Sequence, residues 1–292
     1  MADSALMADP SPTLRRKRLG DELRRLREAA HLDVDAAADH LSCSAAKVYR
    51  LETGANFVKA LDVRNLLDLY GVAGSEREGL LELAAGANER QGYWVEDERL
   101  LPARFSTFAG FEADAETSRS YNLGAVNGLL QTEAYARAMI RAVRPEDSAD
   151  AVERLVAVRI RRQEQLLVAR EPALRIWTIL DEAVLRRPVG GPEVMVEQLH
   201  RIIAAADRPN VTVQILPYSV GAHAGLRGEF TVLDLEGGRP ALAFSEAPTG
   251  NVTVEKSSEV SRLAHLFDHL RATALPPRET ASFIGSINEE RT

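Results

Sequence analysis

Residues 27–54, REAAHLDVDAAADHLSCSAAKVYRLETG, decide how the first part of this chain folds. Asp33 stands where its carboxylate can accept from the exposed N–H groups of a helix running from Val34 to Leu41. The small-residue break Ser42-Cys43-Ser44 follows. Ser44 is then a natural N-cap for a helix from Ala45 to about Thr53, and Gly54 stops it. Upstream, Leu19, Leu23, Leu26 and Ala30 recur at helical spacing. Downstream, a helix is expected from about Leu61 to Tyr70, and another from Ser75 to Glu89 with Ser75 and Glu78 as a capping box. Helices this short cannot bury apolar stripes separately. They must share one core, drawn from Leu23, Leu26, Ala37, Leu41, Val48, Leu51, Leu66 and Leu67.

The rest of the composition sets bounds. A chain of 292 residues suggests roughly two domains at about 150 residues each. At 45% hydrophobic and 27% charged residues it reads as an ordinary globular protein. No run approaches the ~18 to 20 apolar residues of a membrane span. The opening MADSALMADPSP lacks the basic-then-apolar order of a signal peptide, and residues 1–13 read as a disordered tail. The single cysteine, Cys43, excludes an internal disulfide framework. Together these features predict a cytoplasmic protein with no membrane partner.

Net charge is −7, yet seven basic residues (Arg15, Arg16, Lys17, Arg18, Arg24, Arg25, Arg27) lie between Leu14 and Arg27 against Asp21 and Glu22. A phosphate backbone feels charge within a Debye length of about 10 Å, so the local cluster matters more than the total. Alone, such a cluster is equally the solvated face of a helix. Two short helices parted by a three-residue turn are the helix-turn-helix arrangement. Leu32, Ala38 and Leu41, then Ser44, Lys47, Val48, Arg50, Leu51, Glu52 and Gly54, give residues 14–72 a specific likeness. The segment resembles the DNA-binding domain of the XRE family, which includes the lambda-type repressors.

The resemblance implies that the helix after the turn enters the major groove. Ser44, Ala45, Ala46, Lys47, Tyr49 and Arg50 are then the groove-facing candidates. Arg15, Arg16, Lys17 and Lys59 are the further cations facing DNA. Lys47 and Arg50 could meet a guanine edge or a phosphate, and the alanines a thymine methyl. Three departures from the family pattern stand out. Val34 and Ala45 replace the glutamines frequent at the two helix starts. Ser42 replaces a turn glycine, at about 1 kcal/mol if its φ is positive. The following loop, Ala55-Asn56-Phe57-Val58, leaves Lys59 as its only cation. These departures imply weaker DNA binding, or more dependence on dimerisation. They also leave open a non-catalytic protein-interaction module.

Beyond Gly92-Tyr93-Trp94 the pattern changes. Helices are expected over Phe105–Glu116, Thr132–Val143 and Ala149–Arg170, with a short strand at Tyr121–Val126. LRIWTIL, VTVQILP, EFTVLDL and ALAFSEA are rich in β-branched and aromatic residues, as strands are. A helix from Pro192 to Ala206 between the first two implies a right-handed crossover and parallel pairing. The later strands should be antiparallel, with helices at about Ser257–Thr273 and Pro277–Ile287 covering the sheet. The fold class expected is an all-α helix-turn-helix domain (residues 14–90) followed by an α/β (α+β) domain (residues 91–292) with a small mixed sheet.

The second half also carries a resemblance, through Gly128-Leu129-Leu130-Gln131-Thr132, Arg162-Gln163, Glu182–Arg186, Gln198-Leu199, Val211–Pro217 and Gly221–Gly225. It resembles the C-terminal domain of WhiJ-like actinomycete regulators, which implies a small acidic partner protein encoded nearby. Trp177, Gln214, His223 and Glu246, near strand ends, could line a ligand pocket. The glycine-rich loop Gly221–Gly225 precedes a strand, so it reads as a pocket rim, not a phosphate cradle. His265 and His269 share a helix face but lack a third ligand of obvious spacing, so no metal is expected. No nucleophile elbow, Walker loop or dinucleotide fingerprint is present, so neither an enzyme nor a cofactor is expected. The sequence therefore predicts a homodimeric, sequence-specific regulator of transcription, a repressor on double-stranded DNA, whose C-terminal domain dimerises and receives a ligand or protein partner.

Overall fold

The computed structural model describes residues 11–54, 57–89, 92–101, 105–235, 242–245 and 252–290. They divide into two compact units, Met1–Gly92 and Tyr93–Thr292. The first unit holds α1 (Pro12–Ala29), α2 (Val34–His40), α3 (Ala45–Glu52), α4 (Ala60–Leu69) and α5 (Gly74–Gly86). α1 starts inside the segment expected to be tail, because Ser11 accepts a hydrogen bond from Leu14 N and Pro12 sits where its missing N–H costs nothing. The expected capping box on α5 does not form. The helix begins a residue earlier, at Gly74, with Ala73 as its cap and no side-chain capping bond.

Leu19, Leu23, Leu26, Ala37, Val48, Leu51, Val63, Leu66 and Leu67 make the shared core of this unit, and Leu41 packs at its edge. Two contacts lock α1 to α3. Gly20 lies so close that a Cβ there would stand 2.5 Å from the Glu52 carbonyl oxygen. The Arg27 guanidinium holds the Glu52 carboxylate through two hydrogen bonds of 2.6 and 3.0 Å. Both side chains are buried. Deleting either partner would leave an uncompensated buried charge, at about 3–5 kcal/mol.

The second unit is built on a six-stranded mixed sheet of order β3-β2-β1-β4-β5-β6. Its strands are β1 (Ala115–Asn122), β2 (Arg175–Asp181), β3 (Val211–Leu216), β4 (Phe230–Leu235), β5 (Leu242–Ser245) and β6 (Val252–Val254). β1, β2 and β3 run parallel. The remaining pairings are antiparallel. α6 (Phe105–Asp114) precedes β1, and α7 (Glu133–Val143) and α8 (Ala149–Glu164) lie between β1 and β2, the last continuing as a π-helical turn to Ala169. α9 (Glu182–Arg186) and α10 (Pro192–Ala206) link β2 to β3. α11 (Ser257–Thr273) lies against β1, β3, β4 and β5, while α12 (Pro277–Glu289) packs on β3.

The strand expected at Tyr121–Val126 is in fact β1, ending at Asn122, and α6 stops at Asp114 before it. Its sequence, AETSRSYN, hides the period because Ser118 and Ser120 take buried positions that apolar residues usually fill. Their place in the sheet makes that affordable: the Ser120 hydroxyl meets Thr178 Oγ1 at 3.0 Å and accepts from Asn127 Nδ2 at 2.9 Å. The turn Gly128-Leu129-Leu130-Gln131-Thr132 is pinned by buried glutamines. Gln198 binds Thr132 N and Leu130 O, and Gln163 donates to the carbonyls of Gly128 and Gln131. Several residues that carry the likeness to WhiJ-like regulators are thus structural staples.

Candidate nucleic-acid interface

α2, the turn and α3 form the helix-turn-helix. Asp33 accepts from Ala36 N at 2.8 Å, which starts α2. The chain reverses through Ser42, held in the left-handed region at φ 50. Cys43 N then donates to Ala38 O at 2.9 Å. Ser44 occupies the cap of α3 in extended geometry, without a side-chain capping bond.

α3 turns Val48, Leu51 and Glu52 inward. Ala46, Tyr49 and Arg50 face outward, as the exposed residues of the helix, and Ser44 is exposed at its start. Ala45 is half-buried and packs against the core, as does Val34 at the start of α2. The two positions where glutamines were missed are therefore spent partly on packing. Lys47 is drawn away from the exposed face toward α4, where its Nζ lies 2.7 Å from Asp62 Oδ2. Nothing in the spacing of the sequence pointed to Asp62 as that partner. Lys59, at the cap of α4, is exposed, and so is Arg64 one turn further on, a cation not picked out from sequence. Ala55 and Asn56 lie outside the described residues.

The basic cluster of α1 is not one open stripe. Arg15 lies over Gly86, where a Cβ would come 1.7 Å from its Nη1. Arg16 donates to Ala87 O at 2.7 Å and stacks its guanidinium 5.5 Å from the Phe57 ring centroid. Lys17 pairs with Asp21, Arg24 with Glu28, and Arg25 with Glu22 and Glu76. Arg27 is the buried partner of Glu52. Asp33, Asp35 and Asp39 on α2 are exposed beside this surface. Residues 14–90 contain thirteen Lys/Arg and thirteen Asp/Glu, so any attraction to phosphate rests on placement and not on the unit's net charge.

In the second unit the four candidate pocket residues do not come together as one free set. Trp177 Nε1 donates to Gln214 Oε1 at 2.8 Å. Gln214 in turn donates to Leu275 O at 2.8 Å, and the Arg271 guanidinium lies over the indole at 4.9 Å. Both polar groups are consumed in fastening the end of α11 to the sheet. His223 joins a different cluster, with Tyr121 and Asp181. Glu246 lies outside the described residues. His265 and His269 sit exposed on α11. No helix among the described residues is long and apolar enough to cross a membrane.

Residues 18–80 match a family described as a helix-turn-helix domain. Residues 105–286 match a second family, described as a domain of unknown function (DUF5753). No curated protein and no solved structure matches the chain.

Proposed function

This chain belongs to the family of the domain of unknown function DUF5753, and since it joins that domain to a helix-turn-helix, we propose that it regulates transcription by binding a specific DNA site. The observation that carries this reading is the outward face of α3, where Ala46, Tyr49 and Arg50 stand exposed on a helix that two rigid contacts fix to α1. Such a face, presented by a short helix after a tight turn, has the shape that fits a major groove. Arg50 supplies the base or phosphate contact, and Ala46 and Tyr49 shape it. Lys59 and Arg64 add phosphate contacts from α4. The unit carries as many acidic as basic residues over 14–90, so we take the working form to be a homodimer joined through the second unit and acting as a repressor. The second unit receives the signal, a ligand or a small acidic protein.

Mobility shifts with the promoter DNA of the protein's own gene, at several salt concentrations, test this. A salt-sensitive, sequence-specific complex that weakens in Arg50→Ala is expected. Binding equal on unrelated DNA, or unchanged in Arg50→Ala, would sink the assignment.

A second reading has its own support. Phe57, in the loop where the XRE pattern places basic residues, and Leu61, at the start of α4, are about two-thirds exposed at 66% and 65%. Lys47 is held by Asp62. An apolar, charge-balanced surface there suits a protein partner better than phosphate. The same mobility shifts decide between the two readings.

A further inference from the structure

At the carboxyl ends of β1 and β2 sits a polar cluster with no part in the helix-turn-helix. Tyr121 donates its hydroxyl to Asp181 Oδ2 at 3.1 Å, and His223 Nε2 lies 3.5 Å from the same oxygen. Asp181 Oδ1 accepts from Ala183 N at 2.9 Å. The carboxyl edge of parallel strands is where open α/β sheets take ligands. The His223 side chain is only 8% exposed. Its Nδ1 is buried and has no hydrogen-bond partner among the described residues. A buried polar atom left without a partner costs free energy, and such atoms are scarce in folded proteins.

The chemistry of the missing partner follows from Asp181. A carboxylate oxygen only accepts hydrogen bonds, so its place 3.5 Å from Nε2 favours the imidazole tautomer with the proton on that nitrogen. Nδ1 is left as a lone-pair acceptor, and what it lacks is a donor. Asp181 and Glu229 put negative charge on this cluster, while the neighbouring Glu182 is paired with Arg186. The Tyr121 hydroxyl is held well above its ordinary range, by burial first and then by the charges of Asp181 and Glu229. Glu182, next to Asp181, accepts from Tyr218 N at 2.7 Å. The rings of Tyr121 and Phe230, 6.3 Å apart, add aromatic surface, which attracts cations.

The loop that carries His223 is bounded by glycines, Gly221 at φ 69 and Gly228 at φ 139. Between them Gly225 lies on the Tyr121 ring, where a Cβ would come 2.6 Å from a ring carbon. At Gly225 the loop thus rests on the cluster through a contact that a Cβ would block.

We propose that Tyr121, Asp181 and His223 form a binding site for a small organic amine, which donates to His223 Nδ1 and sets its positive charge against Asp181, with residues 221–228 as the cover. This deepens the reading of the second unit as the part that receives a signal. Its test leaves DNA out, so a failed site would not touch the DNA-binding assignment.

Saturation-transfer NMR on the full chain at pH 7.5 would use n-butylamine, putrescine and spermidine, with n-butanol and butyrate as neutral and anionic controls of matched size. Saturable binding of at least one amine, absent for both controls and weakened about tenfold or more in His223→Ala and Asp181→Asn, is expected. Equal binding of butanol or butyrate, no saturable binding of any of the three amines, or undiminished binding in His223→Ala would overturn the site. If Asp181→Asn fails to fold, His223→Ala still reads the loop side of the site. Nitrogen-15 spectra of the histidine-labelled wild type give an independent check. Nδ1 must be the unprotonated nitrogen of His223, and a protonated Nδ1 overturns the donor argument.

Discussion

Ser42→Gly should stabilise the helix-turn-helix. Ser42 sits at φ 50, between α2 and α3, with its side chain exposed. An L-residue in the left-handed region carries a clash between its Cβ and the backbone worth about 1–2 kcal/mol. Glycine removes that clash but gives back roughly 0.5–1 kcal/mol, because its unfolded chain is freer. The net gain expected is about 0.5–1 kcal/mol. Hydrogen exchange of the Val48 and Leu51 amides, which lie in the core-facing part of α3, reads this locally. Their opening constants should fall roughly two- to five-fold, while amides of β2 and β3 stay unchanged. His31, at φ 57 after α1, offers a parallel test with His31→Gly. Unchanged or faster exchange in Ser42→Gly would refute the strain argument, since it would mean that the serine hydroxyl contributes as much as the backbone loses.

Three further outcomes follow from the same geometry. Asp62→Asn removes the charge that holds Lys47, so DNA affinity should rise and the salt dependence should steepen by about one ion in fluorescence anisotropy titrations; weaker binding would mean that Lys47 is needed where it lies. Gly20→Ala drives a methyl group into backbone oxygens of Leu51 and Glu52, at 2.7 and 2.5 Å, and should cost about 1–3 kcal/mol of stability in urea unfolding, although alanine is the better helix former. Asp97 is pushed up by burial, but hydrogen bonds from Arg154 and Arg161, both 2.7 Å, prevail and hold its carboxyl below the usual range. A depressed value in the folded state stabilises above the unfolded value of about 3.9 and is lost as pH falls through the folded one. Acid titration of stability should therefore show a step below about pH 4 that Asp97→Asn removes.

Much of the first unit was legible in its sequence, because helix starts, stops and apolar spacing are local signals. Asp33, and in the second unit Thr132, cap their helices through side-chain bonds, as their places in the sequence imply. Ser75 did not, since α5 begins at Gly74 instead. The parallel pairing of β2 with β3 followed from the helix between them. β1 was misplaced because serines fill buried positions, and only its neighbours supply the hydrogen bonds that permit this. β6 is three residues long and had no periodic signal at all.

By itself the sequence determined that two short helices meet at a tight turn, that one apolar set serves all the surrounding helices, and that a strand-helix-strand crossover begins the second sheet. Those are consequences of spacing along the chain. Tertiary structure decided where the charges go. It buried Arg27 with Glu52, laid Arg15 and Arg16 on the end of α5, and turned Lys47 toward Asp62. It also set His223 beside Asp181, 42 positions earlier in the chain, and Tyr121, while Trp177 and Gln214 closed on each other. A long charged side chain can reach partners on several elements, so its residue type states what it can bind, and only the packed neighbours state what it does bind.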